Sequence, residues 1–259
     1  MPFIQTKLEK HIGTITMDHA ARRNALSEAL IHEMTEALES MNEQRARVIV
    51  LRAHPGAKVW SAGHDVNELP RPGSDPLGYD DPLVRILRTL QYAAIPVIAM
   101  IGGSVWGGAC DLAITCDILI GSPEAQFTMT PAKLGIPYNA SGLLRFMNTL
   151  GVNSAKELFF TAQPITAERA HQMGILNHLV PSEELEAFTY GFAEAIARNS
   201  PLSIAAMKES FRLLANASPL TPNMFERIQA LRRKVYDSND YGEGIQSFLE
   251  KRPPVFRGE

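Results

Sequence analysis

Two stretches with glycine turns hold the residues whose types and spacing suit catalysis by backbone groups. WSAGHDVNEL, residues 60–69, places Gly63 in a tight turn ahead of His64 and Asp65, with a helix expected to begin near Asp65. IGGSVWGGACDL, residues 101–112, sets Gly102 and Gly103 after a strand, and Gly107 and Gly108 at the entrance to a helix. The first N–H groups of a helix lack intrahelical partners and sit at its positive end, so such turns present donors to an oxyanion. Glycine at 108 also lets a bound group approach the backbone closely, because it has no Cβ. The sequence offers no G-x-S-x-G nucleophile turn and no His, Cys or Glu grouping with metal-ligand spacing.

These turns need a rigid frame. Residues 12–17 and 48–51 read as short β-branched strands, and 27–41 between them has helical spacing with a serine at its start. Residues 97–101 and 118–120 are further apolar strands, separated by a helix expected over 105–116. The alternation implies an α/β architecture with buried sheets. LPRPGSDPLGYDDP, residues 69–82, fits neither period and reads as a surface loop that covers something. From 154 onward helical segments dominate, at 154–160, 167–172, 183–198, 201–214 and 225–236, which divides the chain into a core over 1–199 and a helical region over 200–259. No sequence repeat or long linker is visible.

Composition removes several function classes. A chain of 259 residues, 45% hydrophobic and 20% charged, buries one large core, and a net charge of −3 creates no field for nucleic acid. Cys110 and Cys116 are too few for a disulfide framework and fit a reducing compartment. The N-terminal MPFIQTKLEK has no apolar signal region, and no apolar run approaches the roughly 20 residues of a membrane helix. A cytoplasmic location without membrane attachment is the expectation.

RRNALS (22–27), SAGHD (61–65), GGSVWGGACD (102–111), LGIP (134–137) and the tail EGIQSFLEKRPPVFRG (243–258) occur in the order seen in the crotonase, or enoyl-CoA hydratase/isomerase, superfamily, which the chain resembles over nearly its whole length. The wording SAGHD, SVWGGA, FTMTPAKLGIPYN (127–139) and YDSNDYGEGIQSFLEKR (236–252) is most similar to the members that take CO2 from methylmalonyl-CoA without biotin. The resemblance implies a spiral core of repeated ββα units with a C-terminal helical region for oligomerisation and site closure, and an assembly of trimers, either single or paired as hexamers. It also implies a thioester carbonyl held by the amides of His64 and Gly108, with the backbone around Ala62, Gly63, Asp65 and Val66 along adenine and pantetheine. Arg22, Arg23, Lys251 and Arg252 are the basic candidates for coenzyme A phosphates, and the resemblance favours Arg22 and Lys251. Coenzyme A is then part of the substrate, with no metal, biotin or pyridoxal cofactor.

Departures from the family pattern select the reaction. Hydratases of this family carry one glutamate three residues after the oxyanion glycine and another before the LG-x-P segment; here those positions hold Asp111 and Pro131. Proline cannot activate water, so hydration by paired carboxylates loses support. Tyr138 falls in the working space of the missing acid, where a phenol can hydrogen-bond a substrate carboxylate without repelling it, and Thr130 offers a second hydroxyl. The expected reaction is decarboxylation of methylmalonyl-CoA, or a near malonyl-CoA analogue, to propionyl-CoA through a thioester enolate. Enoyl-CoA hydration or isomerisation through Asp111, and acyl-CoA binding without turnover, are the alternatives. The basic run Arg232, Arg233 and Lys234 reads as a helix face or subunit contact.

Overall fold

The computed structural model describes residues 2–215 and 220–259. Its larger sheet has six strands in the order β1 (Ile4–Glu9), β2 (Ile12–Met17), β3 (Val48–Ala53), β5 (Val97–Ile101), β7 (Ile118–Gly121) and β10 (His178–Leu179). β1 returns antiparallel to β2 through Lys10 and His11, both at positive φ, as a two-residue hairpin turn requires. The remaining pairs are parallel. A smaller sheet holds β4 (Val59–Ser61), β6 (Ser104–Trp106) and β8 (Gln126–Thr128) in parallel, with β9 (Ile165–Thr166) antiparallel at its edge.

The helices are α1 (Glu28–Glu43), α2 (Pro82–Tyr92), α3 (Gly108–Thr115), α4 (Ala140–Leu150), α5 (Val152–Thr161), α6 (Ala167–Gln172), α7 (Leu185–Ala197), α8 (Pro201–Ala215), α9 (Pro222–Tyr236) and α10 (Asn239–Leu249). Three successive units, β3-β4-α2, β5-β6-α3 and β7-β8-α4, each send one strand to the larger sheet, one to the smaller sheet and then a helix. This is the crotonase fold. The passage from the smaller sheet to the helix differs between the units: residues 62–81 join β4 to α2, Gly107 alone joins β6 to α3, and residues 129–139 join β8 to α4.

Strand period explains why the central strands are apolar throughout. Val48, Val50, Ile98 and Met100 face one side and pack with Leu185, Ala193 and Ala197 of α7, whereas Ile49, Leu51, Val97 and Ala99 face the main core. Each fully buried Val, Leu or Ile in these layers contributes roughly 1.5–3 kcal/mol. α1 closes the main core with Leu30, Ile31, Met34, Leu38 and Met41, the spacing of one helical face, and Ser27 accepts from Leu30 N at 3.3 Å as its cap.

Several expectations are corrected here. The helix expected over 105–116 begins only at Gly108, because Val105 and Trp106 belong to β6 and Gly107, at φ 51°, turns the chain between them. The helix expected near Asp65 is a single 3-10 turn, Val66–Glu68, capped by Asp65. Arg232 is not on an outward face. Its guanidinium is buried, bonds Asp75 with both terminal nitrogens, and donates from Nε to Pro137 O at 3.3 Å. The segment over 69–82 is accordingly strapped to the C-terminal helices, with Tyr241 Oη donating to Pro70 O at 2.9 Å and Gly73 N to Tyr236 O at 3.0 Å.

α10 also supports the 3-10 turn Pro131–Leu134, and the fit there is set by glycine. A Cβ on Gly244 would stand 2.3 Å from Leu134 O, whereas one on Gly242 would meet only Pro72 Cγ at 3.4 Å. Gly244→Ala is expected to destabilise by roughly 1–3 kcal/mol or more through overpacking against backbone. Gly242→Ala should be neutral or gain up to about 1 kcal/mol of helix propensity. Thermal denaturation of the two variants, followed by circular dichroism, checks the contrast.

Candidate functional site

The turn after β4 is held from behind by residues 23–26. Ala62 N donates to Arg23 O at 2.9 Å, Leu26 N to Gly63 O at 2.7 Å, and Ser61 Oγ to Asn24 O at 2.6 Å. Asn24, buried and at φ 51°, also donates from Nδ2 to Trp60 O at 3.1 Å. Gly63 N turns inward to Ser61 Oγ at 3.3 Å. None of these bonds uses the N–H of His64.

The second turn, between β6 and α3, is fixed by Gly107 N donating to Thr128 O at 2.8 Å. Gly108 is the first residue of α3, where the helix offers its N–H no acceptor. The two turns touch. At Gly63, with φ 83°, a Cβ would fall 2.3 Å from Trp106 O and 3.1 Å from Gly108 N. A Cβ on Gly108 would lie 3.5 Å from His64 N and 2.6 Å from Leu83 Cδ2. The His64 and Gly108 amides are thereby brought side by side at the wall of one cavity of about 510 Å³.

Ala62, His64, Asp65, Val66, Gly108, Thr130 and Tyr138 all line this cavity, and Gly63 lies in the turn behind it. Arg22 and Lys251 do not line it. Both are exposed, and the basic residues on the wall are Arg23 and Lys133. Thr130 Oγ1 stands 2.8 Å from the Cβ position that Gly107 lacks, so the hydroxyl overhangs the turn carrying Gly108. Sequence reasoning missed the apolar lining from Leu77, Leu83, Trp106, Ile136 and Phe248. Those side chains come from separated elements, and only the fold collects them.

Asp111 is 1% exposed, and Arg145 donates to its two oxygens from Nε and Nη2, each at 2.8 Å. Tyr138 Oη donates to Asp111 Oδ2 at 2.8 Å. The phenolic hydrogen expected to meet a substrate carboxylate is therefore turned to Asp111 in this structure. Burial, and then the neighbouring Asp111 charge, push the Tyr138 phenol well above its ordinary range, so it stays un-ionised. Phe159 and Phe146 meet the ring edge-on at 5.1 and 6.4 Å and fix its plane. Neither Arg145 nor this pairing was foreseen. The only signal was an aspartate on the first turn of an apolar helix, which needs a partner if buried.

The His64 ring is held at both nitrogens. Nε2 lies 3.1 Å from Asp81 Oδ2 and Nδ1 lies 3.2 Å from Asp65 O. Burial disfavours the charged ring, yet the hydrogen bond and charge of Asp81 outweigh it and raise the pKa above the ordinary histidine value. Cys110 and Cys116 are buried and free, and burial pushes the Cys110 thiol up to about 12, which removes it as a nucleophile. Among the described residues no group of three His, Cys, Asp or Glu is arranged to hold a metal ion.

A family model described as enoyl-CoA hydratase/isomerase matches residues 7–259. The methylmalonyl-CoA decarboxylase of Escherichia coli strain K12 is 48% identical over 247 residues, 95% of this chain and 95% of that protein. The mitochondrial enoyl-CoA hydratase of Pongo abelii is 32% identical over 96% of this chain and 84% of its own length. A solved structure of methylmalonyl-CoA decarboxylase in complex with 2-nitronate-propionyl-CoA superposes with a TM-score of 0.97 at 46% identity, covering 99% of both chains. By sequence match along nearly its whole length, and by a backbone that repeats the ββα unit three times, the chain belongs to the enoyl-CoA hydratase/isomerase family.

Proposed function

We propose that this protein decarboxylates methylmalonyl-CoA, or a close malonyl-CoA analogue, to propionyl-CoA through a thioester enolate. The observation that carries the reading is a pair of backbone amides, from His64 and Gly108, facing one cavity whose nearby carboxylate, Asp111, is already matched by Arg145. The electron pair of the breaking C–C bond passes into the thioester as an enolate, CO2 departs, and a proton adds at C2. The first step needs stabilisation of charge on the thioester oxygen, and an aimed donor is typically worth about 3–4 kcal/mol. It requires no metal, biotin or pyridoxal group. The similarity to a decarboxylase named with a propionyl-CoA nitronate supports the same choice.

Tyr138 and Thr130 hold the departing carboxylate in this reading. Asp111 keeps two donors from Arg145, so the phenolic hydrogen can rotate to a substrate carboxylate without leaving Asp111 unpaired. Holding that group so that its C–C bond stands perpendicular to the thioester plane aligns it with the enolate π-system. Hydration would instead need a free acid and base, and Pro131 and the paired Asp111 supply neither. The coenzyme A chain runs along Ala62, Gly63, Asp65 and Val66, with Arg23 and Lys133 on the wall, and Arg22 and Lys251 beyond it, for the phosphates. We take residues 200–259 as the region of oligomerisation and site closure. Exposed Leu202, Phe211 and Leu214 on α8 and Leu231 on α9 support burial in a homotrimer or a dimer of trimers. Among the described residues no helix is long and apolar enough to cross a membrane, and a cytoplasmic enzyme fits this chemistry.

Incubation with methylmalonyl-CoA, without biotin or added metal, is expected to yield propionyl-CoA by mass spectrometry. Its absence across malonyl-CoA analogues, or crotonyl-CoA hydration at a rival rate, would overturn the reading. Gly108→Pro removes one donor at a helix position that tolerates proline, so kcat should fall roughly 100-fold or more in protein that folds by circular dichroism. Gly108→Ala keeps the N–H but adds a Cβ against a Leu83 methyl and the bound thioester, so it should mainly raise KM while kcat falls far less than in Gly108→Pro. Tyr138→Phe and Thr130→Val should each lower kcat while KM stays near wild type, as steady-state kinetics will test. Alanine at Arg23 or Lys133 should raise KM with kcat nearly unchanged, because a remote contact binds ground and transition states alike.

A further inference from the structure

The His64 ring has a geometry that its role as an amide carrier does not require. Asp81 Oδ2 faces Nε2 and the carbonyl of Asp65 faces Nδ1, and both of these atoms accept hydrogen bonds without donating. A neutral imidazole carries one N–H and would leave one of the two contacts lone pair to lone pair; only the imidazolium satisfies both. The side chains of His64 and Asp81 are 13% and 11% exposed, so water does little to relieve a mismatch.

Asp81 is also an element of the frame. Its Oδ1 accepts from Val84 N at 3.2 Å and caps α2, and Pro82 follows as the first helical residue. Leu83, next in line, puts Cδ2 into the space opened by the missing Cβ of Gly108. The start of α2 therefore grips one turn through Asp81 and presses on the other through Leu83. We propose that Asp81 is a positioning residue of this site: its carboxylate holds the His64 ring as an imidazolium between two acceptors and so fixes the turn bearing the His64 amide against the start of α2.

The charges around the ring agree. Asp81 and Glu68 act on it as anions, and the cavity's cations are Arg23 and Lys133. The raised folded pKa means that the pair is fully formed below the ordinary histidine range and is lost as pH rises through the raised value.

The activity arm of the test rests on the decarboxylase reading; the titration arm does not. Asp81→Asn keeps the size and the capping oxygen but removes the charge. In the full-length variant, with histidines isotopically labelled for NMR, the His64 ring should titrate at lower pH than in wild type. With methylmalonyl-CoA, kcat should fall roughly ten- to hundredfold at near-constant KM, as expected when a donor is displaced by a fraction of an ångström. The alkaline limb of its pH profile should move to lower pH with the ring. Asp81→Glu should recover part of the rate, and adding Asp81→Asn to His64→Ala should cost little beyond His64→Ala alone. Unchanged His64 titration in folded Asp81→Asn protein, or additive losses in the double variant, would overturn the proposal. If the wild-type protein shows no decarboxylation, the function reading falls while the titration still decides this one.

Discussion

The site rests on one close approach, that of Gly63 to Trp106 and Gly108. With 2.3 Å between a would-be Cβ and the Trp106 carbonyl, no other residue fits at 63, and its φ of 83° disfavours side chains on conformational grounds as well. Two turns from different ββα units are thereby locked edge to edge. Everything upstream serves that contact: residues 23–26 brace one turn, Thr128 braces the other, and α2 backs both. A pair of amides held this way is preorganised, so it does not have to reorient as charge develops.

Charge placement around the proposed oxyanion site is equally constrained. A free carboxylate beside a malonyl-type substrate would repel it, and the chain answers by closing Asp111 into a buried pair with Arg145 and Tyr138. A buried pair of this kind adds little net stability, but removing one partner would strand a charge. The one aspartate on the cavity wall, Asp65, accepts from Asn67 N and Nδ2 with Oδ1, and the other lining groups are donors, hydroxyls and apolar side chains. That inventory matches an anionic thioester losing a neutral gas better than it matches addition of water.

Much of this was legible in the chain because its signals are local. Apolar runs gave β2, β3, β5 and β7, the period of 27–41 gave α1, and a single Gly63 and the paired Gly107 and Gly108 marked the two turns. The units repeat in space without repeating in sequence, because β4, β6 and β8 are three residues each, too short for a period to register. α2 was hidden behind a Pro- and Asp-rich segment whose last residues are in fact its cap and first turn. The different placing of Arg22 and Arg23 has a similar cause. Arg22 and Arg23 are adjacent in sequence, and which of them reaches the cavity is decided by a left-handed Arg23 and Asn24 that no periodicity encodes. Asp81 and Arg145 could not be paired with His64 and Asp111 from sequence, since their partners lie 17 and 34 residues away.

The strapping of 69–82 by Arg232, Tyr236 and Tyr241 has a consequence for how the protein comes into being. A chain emerges from the ribosome N-terminus first, at about 5–20 residues per second. Both amide-bearing turns, α2 and the two sheets are therefore synthesised well before α9 and α10, which hold the Leu77 side of the cavity and brace the Pro131–Leu134 turn opposite. During that interval the chamber lacks Phe248 and the straps that hold residues 69–82. A prematurely terminated chain would leave the Leu77 side of the chamber unbraced, so the last fixing of the cavity comes at the end of synthesis.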